Sequence, residues 1–154
     1  MRKTPAAVVR DGLKAYAERG VFQDFRETQA RQGTTRFEFR LVDAPVTVEL
    51  VERDRTLVIR NMLRQVPAGM YADLQRFLAA LFDRDLPPHR RLDRRSADAR
   101  FVRRRGQVSL VVTVKGGRYG YAVERLVSLI GWVRTHLQQW HPAYLWEVVG
   151  ESEG

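Results

Sequence analysis

QVSLVVTVKGGRYGYAVERLVSLIGWVRTHLQQW, Gln107–Trp140, is the stretch on which the fold turns. Val108, Leu110, Val112 and Val114 alternate with Ser109, Val111 and Thr113, the period of a strand with one buried face. Lys115-Gly116-Gly117 then reverses the chain. From Arg118–Tyr121 onward, at about 100° per residue, Ala122, Val123, Leu126, Val127, Leu129, Ile130, Val133, Leu137 and Trp140 share one broad arc. A strand that turns into the longest amphipathic helix of the chain implies an α+β layout. Gly116, Gly117 and Gly120 match neither a Walker loop nor a dinucleotide fingerprint, so a tight turn explains them.

Working back towards the N-terminus, Arg105-Gly106 makes a hairpin with a preceding strand, Asp98–Arg104. Pro87–Ala97 reads as an exposed loop, stopping a helix over Ala68–Arg84 whose stripe is Met70, Leu74, Phe77, Leu78, Leu81 and Phe82. Before it, Phe37, Phe39 and Leu41 alternate with polar residues, as do Val46, Val48 and Leu50. Asp43-Ala44-Pro45 and Arg53-Asp54-Arg55 form the turns, with Thr56–Leu63 as the third strand of a meander. Val21–Gln32 reads as an irregular connection with room for one short strand. Pro5–Arg19 is the first helix, capped by Thr4 and ended by Gly20. Its Gly12 either weakens it or permits a close neighbour.

The expected architecture is therefore α-β-β-β-α-β-β-α, one domain over residues 1–150 with a frayed acidic tail at 151–154. A chain of about 150 residues can bury roughly 70% of its unfolded surface, so a core without staples suffices. There is no cysteine, which excludes disulfides, thiol nucleophiles and thiolate metal sites. That fits a cytoplasmic protein. The apolar run Ala6–Val9 is too short for a secretory signal, and no apolar window is long enough to span a membrane.

The net charge is +9, and of 27 basic residues only Lys3, Lys14 and Lys115 are lysine. Arg84–Arg105 carries nine arginines against Asp85, Asp93 and Asp98. Arg90, Arg91, Arg94, Arg95, Arg103, Arg104 and Arg105 are its candidate contacts for an acidic protein or for nucleic acid. Only Phe101 interleaves them, so base stacking would be weak. Trp132, off the buried arc, is a candidate interface anchor or is covered by the chain's end. Tyr144 and Trp146, on a further turn past Pro142, join it as interface candidates.

No catalytic constellation is legible. Ser109 and Ser128 lack an elbow motif, and Glu49 and Glu52 read as surface charge. His136 and His141 are five apart, so they do not share a helix face as the i, i+4 pair of a zinc helix would. His89 stands among arginines. No metal or cofactor is expected.

The element order resembles the YbjN family and the related chaperones of type III secretion. The likeness is best in the second half: the strand at Arg100-Phe101-Val102, the Gly106 turn, Val108–Val114, the glycine turn and the helix from Tyr121. It implies a twisted antiparallel five-stranded sheet with helices mainly on one face, usually in a homodimer, with no catalysis and no cofactor. It also implies a role in binding segments of other proteins. The secretion chaperones are acidic whereas this chain is basic, which leaves room for an acidic partner or one bound to nucleic acid. The expectation is thus a non-enzymatic, homodimeric, chaperone-like interaction module; the alternative is a nucleic-acid-binding accessory protein that uses Arg84–Arg105.

Overall fold

Thr4 Oγ1 accepts a hydrogen bond from Ala7 N at 3.1 Å, and Pro5 sits in the first turn, so α1 (Pro5–Glu18) starts where cap and proline direct. The computed structural model describes residues 3–41 and 44–144. After α1 come β1 (Gln23–Arg31), β2 (Thr34–Leu41), β3 (Ala44–Val51) and β4 (Thr56–Leu63). α2 (Ala68–Ala80), a 3-10 turn at Pro88–Arg90, β5 (Ala97–Arg104), β6 (Gln107–Val114) and α3 (Tyr119–Trp140) complete the order.

The sheet has six antiparallel strands in the order β1-β2-β3-β4-β6-β5, not the five expected. The extra strand is β1. Only Phe25 and Ala30 are half-buried in it, so no alternation of apolar residues announces it. Backbone pairing with β2, interrupted by two register shifts, holds it at the sheet edge. The α+β class stands, with one strand more than the resemblance implies.

Two other boundaries differ. α2 ends at Ala80 rather than Arg84, because the chain tightens into i+3 hydrogen bonds from Leu81, Phe82 and Asp83 to Leu78, Ala79 and Ala80. Ala44 and Pro45 belong to β3 rather than to a turn. Asp43, Trp146 and the 151–154 tail lie outside the described residues.

Strand register sorts the sheet into two faces. Ala97, Ala99 and Phe101 of β5 stand opposite Val114, Val112 and Leu110 of β6. Leu57 and Ile59 of β4 flank Val112 and Leu110 from the other side. All eight are buried, and they join the helix residues Leu13, Leu74, Leu126 and Leu129 in one core cluster. Each fully buried leucine of this kind contributes about 1.5–3 kcal/mol through burial. α1 meets α3 closely: a Cβ at Gly12 would lie 3.0 Å from Val123 Cγ1. Gly12 is thus the close-approach position that its place in the helix suggested. Gly116 and Gly117 adopt φ of 61° and 68°, which lets β6 turn sharply into α3. No helix among the described residues is long and apolar enough to cross a membrane.

Candidate partner-binding face

The other face of the sheet holds the alternate residues. Arg100, Val102 and Arg104 of β5 stand opposite Val111, Ser109 and Gln107 of β6. Thr56 and Val58 of β4 pair with Thr113 and Val111, and Glu49 and Val51 of β3 pair with Val58 and Thr56. These residues line a concave groove of about 830 Å³.

Two local irregularities mark this part of the sheet. β3 and β4 pair only from Glu49–Val51 to Thr56–Val58. Beyond that, Ala44–Val48 pairs with β2 and Ile59–Leu63 with β6. β4 also bulges between Ile59 and Leu63, where Asn61 has φ of 50° and its N–H donates to Ser109 Oγ at 3.0 Å. A serine on β6 thereby satisfies a backbone donor that the ladder leaves out.

The groove has an apolar floor and a cationic rim. Val51, Val58, Val102 and Val111 supply the floor, while Arg31, Arg53, Arg60, Arg100 and Arg104 stand around it. Arg60 Nε donates to Glu49 Oε1 at 2.7 Å. Glu49 is largely covered, at 13% side-chain exposure, whereas Arg60 is 63% exposed. Arg53 meets Asp54 at 3.6 Å, both outside shelter. Arg100 and Arg104 make no ion pair among the described residues, so their charge faces water. Among the described residues the lining includes no aromatic ring.

The basic segment read from the sequence does not form one patch. Arg104 reaches the groove, but Arg103, one residue earlier on the pleat, points to the helix side and donates from Nε to Val66 O at 2.9 Å. Arg105 occupies the β5–β6 turn with φ of 53°. Arg90 lies in the 3-10 turn. Arg91 Nη1 donates to Arg84 O at 2.7 Å, and the Arg94 guanidinium stacks over Phe82 at 4.1 Å. Arg95 donates its backbone N–H to Asp93 Oδ1 at 3.1 Å, the leading cause that holds the Asp93 carboxyl below the usual range. Arg84, Arg91, Arg94 and Arg95 surround a second depression of about 430 Å³. Arg31, Arg53, Arg60 and Arg100 are not among the contacts expected from the sequence, although Arg100 belongs to the basic run. Their signal was present in the polar half of each alternation, but their meeting depends on the non-sequential strand order β3-β4-β6-β5.

The aromatic candidates lie elsewhere. Trp132 is half-buried and packs against the core, so its own chain covers part of it. Tyr144 is half-buried too, and its hydroxyl donates to Arg64 O at 2.7 Å. Among the described residues, the tryptophan that stands clear is Trp140, 63% exposed although the helical arc assigns it to the core. It is the last residue of α3, past Leu137, the last buried position.

On the helix side, His136 Nε2 and His141 Nε2 lie 2.8 and 2.7 Å from the same atom, Asp73 Oδ2. The expectation that the two histidines do not share a helix face did not foresee this meeting on one carboxylate. α3 ends at Trp140, and the non-helical φ of −139° at His141 takes its ring off the helical spiral. Asp73 comes from α2, far away in sequence. Hydrogen bonds from His141, then His136, hold the Asp73 carboxyl below the usual range against the opposing effect of desolvation.

Compared with family models, with curated proteins and with solved structures, the chain matches none. Its fold and groove define a class in physical terms: an α+β protein with a six-stranded antiparallel sheet whose face opposite α1, α2 and α3 carries an arginine-rimmed hollow.

Proposed function

We propose that this chain is a non-enzymatic protein-interaction module whose helix-free sheet face takes an extended, acidic segment of a partner protein. The observation that carries this is the pairing of a valine floor with an arginine rim in one groove. An extended segment alternates its side chains. Apolar side chains would settle on Val51, Val58, Val102 and Val111, while carboxylates would meet Arg100 and Arg104. Nucleic acid fits this face less well. Among the described residues no ring lines it for base stacking.

The likeness of element order to the YbjN family and the secretion chaperones agrees with this reading, with β1 as an addition. A cytoplasmic homodimer forms part of the same proposal, and light scattering over a tenfold dilution tests the dimer. A second reading has its own support: the depression flanked by Arg84, Arg91, Arg94 and Arg95 would suit a phosphate backbone. A pull-down from native lysate with and without nuclease separates the two. Partner capture that survives nuclease supports protein binding, and capture abolished by nuclease supports nucleic acid.

A further inference from the structure

We propose that Asp73, His136 and His141 form a binding site for a divalent transition cation, with zinc the best chemical fit, that clamps α2 to the end of α3. This site lies on the helix side of the sheet and does not depend on the function proposed for the open face.

Three features of the cluster support it. The donor set is two imidazole nitrogens and one carboxylate oxygen, which suits zinc and its neighbours rather than magnesium or calcium. The three ligand atoms all lie within 4.8 Å of one another. The side chains are 14%, 26% and 29% exposed for His136, His141 and Asp73, sheltered enough to be held yet open enough for an ion and a completing water. The His136 ring is also fixed from behind, stacked on Phe77 at a centroid distance of 4.3 Å.

Little has to move. In a tetrahedral zinc site ligand atoms stand about 3.3–3.5 Å apart, so each N–O contact must open by roughly half an ångström. Each imidazole must present its Nε2 lone pair, with the proton carried on Nδ1. Arg76, 3.9 Å from Asp73 Oδ1, opposes a cation, but its side chain is 72% exposed and free to swing into water. The competing description needs no ion. Two rings each donate Nε2–H to one carboxylate, and the cluster is only a hydrogen-bonded clasp.

Titration of the tag-free, chelator-treated chain with zinc chloride by calorimetry distinguishes them. The expected result is one zinc per chain and a zinc-dependent rise in melting temperature. His141→Gln keeps an N–H for Asp73 and so preserves the clasp, but it removes a ligand. It should weaken zinc binding by at least about tenfold while leaving the metal-free melting temperature near that of the parent. His136→Gln, read the same way, gives a second measure if one variant folds poorly. No zinc binding, or binding unchanged in both variants, would overturn the proposal.

Discussion

Arg103 Nε donates to Val66 O at 2.9 Å, which ties the β5–β6 hairpin to the segment leading into α2. The backbone repeats the tie, with Val66 N donating to Gly106 O at 2.8 Å. Arg104, the next residue, lines the groove on the opposite face. Two adjacent arginines therefore do different work. Arg103→Ala should lower unfolding free energy by about 1 kcal/mol, the scale of a partly exposed charge-assisted hydrogen bond, and leave partner affinity unchanged. Arg104→Ala should stay within about 0.5 kcal/mol of the parent and weaken the partner. Urea denaturation beside a binding titration separates the two effects.

Gly12 tests the contact between α1 and α3. Alanine there gains about 1 kcal/mol of helix propensity but pushes a methyl against buried Val123, whose branched side chain has few alternatives. Overpacking of this kind costs about 1–3 kcal/mol, so Gly12→Ala should be destabilising on balance. Gly131→Ala in α3 meets nothing within 4 Å and should stabilise by up to about 1 kcal/mol. Thermal melts of both variants check the sign at each position.

Tyr144 makes stability sensitive to alkali. Burial raises its phenol above the ordinary value, and the nearby Arg64 charge opposes that only in part. The hydrogen bond to Arg64 O exists only while the phenol is protonated. The folded value is raised, so the contribution is complete below about pH 10 and is lost as pH rises through that folded value. Tyr144→Phe should be less stable by about 0.5–1.5 kcal/mol at pH 8 and should lose less stability above pH 10. Tyr119, also raised by burial, is common to both proteins and drops out of the comparison.

The strands β2, β3, β5 and β6 were legible because alternate residues face the helices, and the helices because their apolar stripes match that face. β1 was not, since Gln23–Arg31 buries little and shows no apolar alternation, and backbone pairing with β2 supplies much of what holds it. The groove was legible only in pieces. Arg100 and Arg104 belong to the basic run, but Arg60 and Arg53 join them through pairing of β4 with β6, which no local pattern encodes. Asp73, His136 and His141 escaped for a related reason. Their meeting depends on where α3 stops and on a contact between distant helices.

The salt response of partner binding follows from the rim. Arg100 and Arg104 face water, within reach of a Debye length of about 10 Å at 0.1 M salt. Affinity for an acidic segment should fall as salt rises, but less steeply than for a phosphate chain, because the valine floor contributes a part that salt does not screen. Titrations at two ionic strengths measure that slope.

Fluorescence anisotropy with a labelled peptide alternating glutamate and valine, set against a single-stranded oligonucleotide of equal length, is the most direct test of the open face. The protein and its Arg100→Glu/Arg104→Glu double variant are titrated side by side at low salt. An interaction groove predicts that the peptide binds in preference to the oligonucleotide and that the double variant loses at least about tenfold in affinity. Equal peptide affinity for the two proteins, or binding of the oligonucleotide alone, would contradict it.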